Sequence, residues 1–191
     1  MKYFLHRISH EWQASYPLLE NGLLSIGWSD FSEREFVDDV RRGKEFLDKR
    51  LEVLKDPLGK LPRNRNCLYR FIVEMDRRDI ILVPKPKFFS IYRVVETAVP
   101  VSEINLPKNL YSEDGKPITI QKGLIYKGNE SVDLGFIIRV ELIAKDVSRY
   151  EYADAALTAR MRKVRFTNAC IDDLKGSVQN VILSFNNGNE K

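Results

Sequence analysis

Residues 79–95, DIILVPKPKFFSIYRVV, decide the fold class, since they contain two apolar strand segments on either side of a Pro-Lys-Pro turn. Branched and aromatic side chains dominate both segments, as is typical of β-strands. Segments of the same kind follow at 118–121, 124–126 and 136–143, separated by Pro, Gly, Asn and Asp. The sequence therefore predicts a sheet in the middle of the chain.

Before the sheet, the pattern predicts helices. Apolar residues recur at helical spacing in three segments within residues 28–76. The sharpest local signal lies at the start of the first segment, where Ser32 is placed to cap the helix and Glu35 to complete a capping box. Phe31 and Phe36 are spaced to pack against each other across this start. We therefore expect a capped helix directly after Trp28.

The two ends of the chain add further elements. Short strands are predicted at 2–8 and 23–27, before the helices. After the sheet, the pattern predicts a helix at 150–161 and a strand at 162–166. Apolar residues that are spaced to share one helical face then predict a final helix within residues 171–185. Strands surrounded by inserted and flanking helices indicate an α+β fold with a small, partly closed β-barrel.

Length and composition fit this interpretation. At 191 residues and 22.2 kDa the chain is the size of one domain, which we assign to residues 1–185, with 186–191 as a frayed C-terminal tail. The net charge of +4 and the pI near 9.0 permit a polyanionic partner without requiring one. No segment has the apolar length of a membrane span, so we expect a soluble, cytoplasmic protein with no membrane partner.

The cysteines and histidines limit the kinds of disulfide, metal and catalytic site that the sequence can form. Cys67 and Cys170 each fall in a predicted helix, where we expect buried thiols in a reducing compartment rather than a disulfide. The two histidines, His6 and His10, have no cysteine or carboxylate neighbours at zinc-site spacing, and a structural or exposed role is expected for both. The glycine-rich phosphate loops and the GxSxG motif do not occur. We therefore expect no cofactor, no metal and no catalysis.

One catalytic alternative stays open. A metal-dependent nuclease could use Asp133 and Glu141, with Lys145 as the nearest lysine. Glu141 and Lys145 are four residues apart on a predicted strand, so they share a face but stand ~13 Å apart. This spacing is unfavourable for a joint active site.

Aromatic and basic residues point instead to binding. Trp28, at the end of a predicted strand, is placed either to stack on a planar ligand or to cover the end of the barrel as a core residue. Phe89 and Tyr92 lie among basic residues, a pattern that suits stacking on bases and contact with phosphates. With Ser29 they complete our predicted base pocket. The predicted contacts to the nucleic-acid backbone are Lys85, Lys87, Arg93, Arg160, Arg162, Lys163 and Arg165.

A family resemblance makes the hypothesis of nucleic-acid binding more specific. The motifs that carry it are ISH at 8–10, YPLL at 16–19, LSIGWSDF at 24–31, LPR at 61–63, RFI at 70–72, DIILVP at 79–84, FSIY at 89–92 and DAALTARM at 154–161. In this order they resemble the N-terminal, PUA-like specificity module found ahead of Mrr-type restriction nuclease domains. The resemblance spans almost the whole chain. The sequence departs from the family pattern at Arg77-Arg78-Asp79, where a Gly-Asp turn would be expected.

The resemblance implies both fold and function. Such modules are related in fold to EVE and YTH domains, and they receive a flipped, often modified base between aromatic walls. Here the resemblance assigns Trp28 to the pocket wall and the strand at 89–92 to its neighbourhood. It implies a non-catalytic reader of nucleic acid, DNA rather than RNA, in a restriction or defence system. The chain ends where a nuclease domain would follow, so we expect a stand-alone reader or a nuclease partner.

Overall fold

The computed structural model describes residues 1–189, with the side chains of residues 1–187. Within this range six strands form the main sheet: β1 (Tyr3–His6), β2 (Leu23–Ile26), β3 (Ile80–Pro84), β4 (Phe88–Pro100), β8 (Phe136–Ser148) and β9 (Asn168–Cys170). A smaller sheet contains β5 (Ile118–Gln121), β6 (Leu124–Lys127) and β7 (Glu130–Ser131). The strands predicted within residues 79–143 are confirmed.

The helices lie between and after these strands. They are α1 (Trp12–Glu20), α2 (Arg34–Arg42), α3 (Lys44–Arg50), α4 (Arg65–Tyr69), α5 (Arg149–Tyr152), α6 (Ala155–Lys163) and α7 (Lys175–Asn189). Short 3₁₀ turns precede α2, follow α3 and precede α7, and a π-helical turn extends α4. In the described range, no helix has both the length and the apolar character needed to cross a membrane.

The main sheet is mixed and curled. Its strand order is β2-β8-β4-β3-β1-β9; β1 runs parallel to β3, and the other pairs are antiparallel. The register between β4 and β8 shifts at several points, between Phe89 and Ile91 for example. Such irregularities bend a strand and increase its twist, so the sheet curls into a half-barrel. The prediction of an α+β fold with a partly closed barrel is confirmed at this level.

β1, β2 and β3 are buried at every position, on both faces of the main sheet, which explains their nearly continuous apolar sequences, whereas β4 and β8 each contain exposed residues. Phe4 and Ile81 face one core, where α2, α3 and α4 contribute Phe36 and other apolar side chains. Leu5 and Leu82, next along the same strands, face the opposite core under α6 and α7. A third cluster lies between α1, β2 and the small sheet.

The predicted capping box is wrong. Helix α2 begins at Arg34 with Glu33 in the cap position, and no side chain caps it. The Ser32 hydroxyl instead donates to the Gly135 carbonyl (2.6 Å) and accepts from the Val101 N–H (3.1 Å). The Ser32 hydroxyl therefore bonds to residues that are distant in sequence instead of capping the helix that follows it. The expected Phe31–Phe36 contact is present, with ring centroids 5.2 Å apart.

Other boundaries in the C-terminal part also differ from the sequence predictions. The predicted helix at 150–161 is two helices, because Asp154 starts α6 by accepting from the Leu157 N–H (2.8 Å). The predicted strand at 162–166 is absent from the described structure, since α6 continues to Lys163 and β9 begins at Asn168. The expected frayed tail is helical as far as Asn189, and residues 190–191 lie outside the described range.

The cysteines differ from each other. Cys67 is buried in α4, as expected, whereas Cys170 lies in β9 rather than in a helix and is exposed. Both thiols are free in the described structure.

Candidate functional site

A cavity of about 820 Å³ lies at the end of β1 and β2, beside the segment that leads into β8. Its volume falls in the range typical of small-molecule sites, about 300–1,000 Å³. The buried side chains of His6, Ser15 and Ser25 line it, and we call these three residues the inner wall. Nearer the surface it is lined by Trp28 and Asp133, among others.

Trp28 is held in an unusual backbone conformation. It follows β2 with φ 73° and ψ 39°, in the left-handed region that bulky residues seldom adopt. Its half-buried ring packs against the core and lies 6.3 Å from the Phe31 ring, tilted by 59°. Left-handed backbone at such a residue costs about 1–3 kcal/mol, so the surrounding structure must impose it.

Two neighbouring glycines permit the close approach of the chain segments around this turn. A Cβ on Gly135 would stand 2.5 Å from the Trp28 carbonyl oxygen, and one on Gly27 would stand 2.8 Å from Asp133 Oδ2. The Gly135 N–H donates to the Ile26 carbonyl (2.9 Å). Because the atoms that face Gly135 belong to the backbone, the two chain segments can approach this closely only with glycine at position 135.

Asp133 fixes the same turn. Its Oδ1 accepts from the Ser29 N–H (2.8 Å) and from the Ser29 hydroxyl (2.9 Å), while its Oδ2 lies 3.4 Å from His10 Nε2. Sequence reasoning assigned Ser29 to the base pocket, and Ser29 lines the cavity. It considered Asp133 only as a possible metal ligand. In the structure this carboxylate positions the turn that carries Trp28.

The carboxylates of the nuclease alternative do not meet. Glu141 lies within β8, opposite Arg93 of β4, and forms an ion pair with it (2.6 Å). Asp133, in contrast, precedes β8 and lines the cavity. In the described part of the chain, no group of three or more His, Cys, Asp or Glu side chains could hold a metal ion.

His6 is the most unusual group of the inner wall. It is 1% exposed, and its ring centroid lies 5.6 Å from that of Phe71. Burial lowers the pKa of His6 to about 4, and a hydrogen bond with the Ser25 backbone offsets part of this effect. Its Nδ1 atom has no hydrogen-bond partner among the described residues. The imidazole is therefore neutral at pH 7 and incompletely satisfied.

The rest of the inner wall is also polar and uncharged. The Ser25 hydroxyl donates to the Ser15 hydroxyl at 3.2 Å, and both side chains are buried. Sequence reasoning missed all three residues of the inner wall. No local signal marks them, because His6 and Ser25 sit within apolar strands and Ser15 sits within a helix.

Basic side chains gather beside the cavity. Arg149 is 8% exposed as a residue, and its guanidinium donates to the carbonyls of Phe88 (3.3 Å) and Lys85. Burial lowers the pKa of Arg149, and the charges of Arg162 and Arg7 lower it further. Arg7 also lines the cavity. We call Arg7, Arg149, Arg162 and Lys87 the basic flank, because the charges of Arg7 and Arg162 act on Arg149 and because Lys87, which is exposed, adjoins Arg149 through the backbone bond from the Arg149 N–H to the Lys87 carbonyl (3.1 Å).

The predicted backbone contacts divide into two groups. Three of them are paired with carboxylates: Arg93 with Glu141, Arg160 with Asp173, and Lys85 with Asp146. The exposed residues without an ion pair in the described structure are Lys87, Arg162, Lys163 and Arg165. Sequence reasoning therefore found part of the basic flank, and it missed Arg7 and Arg149.

The structure does not bring Phe89 and Tyr92 together with Trp28. Phe89 is fully buried in the core under α6 and α7. Tyr92 is 6% exposed on the opposite face of the sheet, and burial raises the pKa of its hydroxyl to about 12. Within residues 1–187, the aromatic residue that joins Trp28 in lining the cavity is Phe31.

Comparison with known proteins finds no matching family, no matching curated protein and no matching solved structure. The residues of the cavity and of the basic flank are therefore the features of this chain that bear on its function.

Proposed function

We propose that this chain is a non-catalytic, PUA-like nucleic-acid-binding module that reads a modified or flipped base in DNA for a restriction or defence system. The observation that carries the proposal is the cavity, which combines the Trp28 ring with an uncharged, polar inner wall. The restriction role and the preference for DNA rest on the family resemblance alone.

The cavity suits a base better than an anion. A flipped base is planar, apolar on its faces and polar at its edges, and readers of such bases combine stacking with hydrogen bonds to the edge. The inner wall supplies hydrogen-bonding groups and no positive charge. A phosphate bound there would lose its hydration without gaining a cationic partner.

The basic flank supplies the contacts that a nucleic-acid backbone needs. Arg7 belongs both to the cavity lining and to this flank, so a base in the cavity would leave its phosphates close to these positive charges. Contacts to phosphates position a nucleic acid, while contacts to the base give specificity. The cavity and the basic flank together therefore provide the two kinds of contact expected of a base reader, those with the base and those with the phosphates.

Replacing Trp28 tests the role of the cavity. The chain has two tryptophans, and Trp12 is half exposed on α1, so the variant Trp12→Phe leaves Trp28 as the single tryptophan fluorophore. A base that stacks on Trp28 should change the fluorescence of this tryptophan.

Trp28→Ala should weaken binding to the preferred modified oligonucleotide by about 1–3 kcal/mol, because base stacking on an aromatic ring contributes this much. Paired binding curves measure the effect.

The control for this experiment is an unmodified duplex, which the protein would hold through phosphates alone. Its affinity should change little in Trp28→Ala. A core role would instead cost about 3–5 kcal/mol of folding stability and weaken every ligand together. Thermal melts that show a destabilised protein with an unchanged preference for the modified oligonucleotide would overturn the pocket assignment.

Arg162 and Arg160 form a matched pair for testing the basic flank. Both belong to α6, but Arg160 is neutralised by Asp173 whereas Arg162 is exposed beside Arg149. Arg162→Gln should reduce the slope of log affinity against log salt by about 1, because one fewer counterion is released. Arg160→Gln should leave the slope unchanged. Equal slopes for the two variants would contradict the assignment of phosphate contacts.

The nuclease alternative predicts a different result. We expect the isolated protein to leave DNA and RNA uncut in the presence of Mg²⁺ or Mn²⁺, and a partner to supply any cleavage. Cleavage that Asp133→Ala or Glu141→Ala abolishes would favour the enzyme instead. A gel assay on labelled oligonucleotides distinguishes the two.

A further inference from the structure

Three aromatic side chains are exposed beside the basic flank. They are Phe88 (42% exposed), Tyr150 (75%) and Phe166 (63%), and we call them the outer aromatics. Phe88 and Tyr150 both adjoin Arg149, whose Nε donates to the Phe88 carbonyl (3.3 Å) and which directly precedes Tyr150 in the chain. Single exposed rings are ordinary on a protein surface, whereas a group of them in one region indicates a binding site.

Phe166 is held next to the cavity. Two carbonyls that flank it, those of Val164 and Thr167, accept from Arg7 Nη1 (2.5 Å) and from the Arg7 N–H (2.6 Å). Arg7 and Thr167 both line the cavity. The charge of Arg7 also acts on Arg149, which adjoins the other two rings. The outer aromatics therefore begin beside the cavity and follow the basic flank.

Most of the positive charge in this region is available to a ligand. Two of the carboxylates here, Asp146 and Asp173, each form an ion pair with a lysine or an arginine. Glu151 and Asp154 are exposed and supply opposing charge. The exposed cations without an ion pair in the described structure are Lys87, Arg162, Lys163 and Arg165. These cations outnumber the two unpaired carboxylates, so the region favours a polyanion.

Exposed rings among such cations suit single-stranded DNA better than a duplex. Proteins that bind single strands combine a basic surface, which contacts the phosphates, with aromatic rings on which successive bases stack. In a duplex each base is already stacked between its neighbours, so rings outside the cavity would have no base face to contact. A membrane or a protein partner could cover the rings, but neither accounts for their position beside a cavity that suits a base.

We propose that the outer aromatics and the basic flank bind a single-stranded segment of DNA next to the base that occupies the cavity. This inference rests on the proposed function and adds the form of DNA that the protein recognises. The phosphates of the segment contact the basic flank, and its bases stack on Phe166 and Tyr150. The protein therefore prefers an unpaired strand to an uninterrupted duplex.

The inference is tested with oligonucleotides of one sequence. The probes are a single DNA strand of about 12 nucleotides, within the range of known single-strand sites, its blunt duplex and a single RNA strand. Fluorescence anisotropy of a labelled strand measures each affinity at one salt concentration. We expect the single DNA strand to bind about 10-fold or more tightly than the duplex, because bases stack on the protein only in the single strand.

Substitutions of the two most exposed rings test the stacking. Phe166→Leu and Tyr150→Leu should each weaken single-strand binding by about 5- to 100-fold, because each removes one stacked base, and should leave duplex binding nearly unchanged. Phe166→Trp and Tyr150→Phe keep an aromatic ring and should bind the single strand as the wild type does. A membrane or a protein partner needs an apolar side chain rather than a ring, so leucine would suffice for it.

Tyr111→Leu is the matched control. Tyr111 is 52% exposed, but it lies beside the small sheet, where it forms an isolated β-bridge with Pro117. This variant should keep the wild-type affinity for every probe. Thermal melts of the leucine variants at positions 150 and 166 should match that of the wild type, because both rings are exposed and contribute little to the core.

The outcomes separate the two proposals. If Trp28→Ala abolishes the preference for the modified base, but the single strand binds no more tightly than the duplex, the single-strand surface is wrong and the proposed function stands. Leucine variants that bind the single strand like the wild type also overturn the surface. If the leucine variants weaken single-strand binding while Trp28→Ala changes no preference, the surface stands and base reading is wrong. Tighter binding of RNA than of DNA would overturn DNA as the ligand.

Discussion

Lowering the pH from 7.5 to 5 should destabilise the folded protein by about 2 kcal/mol, and lowering it to 4 by about 3 kcal/mol, through His6 alone. Burial lowers the pKa of His6 from 6.5 to about 4 in the folded state. Between these values the unfolded chain binds a proton that the folded chain does not bind. The free energy of unfolding is therefore highest above pH 6.5 and falls as the pH decreases toward 4.

Urea denaturation at a series of pH values measures this effect. His6→Phe should lose most of the decrease between pH 6.5 and 4, because its side chain cannot be protonated. His10→Ala is the control, since it removes the other histidine, which is exposed at the rim of the cavity, and the acid sensitivity that depends on His6 should persist in this variant. Parallel loss of stability in the wild type and in His6→Phe would show that another group causes the acid sensitivity.

Gly135→Ala should have the second large effect, on stability and on ligand binding together. The new Cβ would stand 2.5 Å from the Trp28 carbonyl oxygen and 2.9 Å from the Ser29 nitrogen, both of them backbone atoms that cannot rotate away. Overpacking of this kind costs about 1–3 kcal/mol. The turn must shift, and Trp28 shifts with it, so base-dependent quenching of its fluorescence should also be lost.

Gly176→Ala is the control for this substitution. In the described structure a Cβ at Gly176, near the start of α7, would meet nothing within 4 Å. Alanine there should stabilise the protein by up to about 1 kcal/mol, because alanine is the better helix former. Chemical denaturation and binding curves on both variants provide the comparison. A Gly135→Ala protein with wild-type stability and unchanged base binding would show that the turn is not held as the structure indicates.

Much of the central sheet was predictable from the sequence because β1, β2, β3 and parts of β4 and β8 are covered on both faces. A strand of this kind needs apolar side chains at nearly every position, so its pattern is visible without knowledge of its neighbours. Leu5 and Leu82 face one core while Phe4 and Ile81 face the other, and all four are fully buried. The element type in residues 79–143 was therefore determined locally.

Local signals failed where a distant partner offered a stronger interaction. Ser32 has the sequence context of a helix cap, but its hydroxyl bonds Gly135 and Val101 instead. The basic segment at 162–166 has a strand-like pattern, yet α6 extends into it and ends at Lys163. Arg78 takes the left-handed conformation, with φ 73°, in the turn where the resemblance led us to expect glycine.

The sequence by itself determined most of the strands, most of the helices and the position of Trp28 at the end of β2, because each depends on residues close together in the chain. It did not predict α1, β7 or β9. Only the tertiary structure decided the cavity. Its inner wall joins His6, Ser15 and Ser25 from three elements, and Asp133 comes from far along the chain to hold the Trp28 turn. The pKa of His6 likewise follows from burial by neighbours that are distant in sequence. Hydrogen bonds and desolvation act over a few ångströms in space, so no spacing along the chain reveals them.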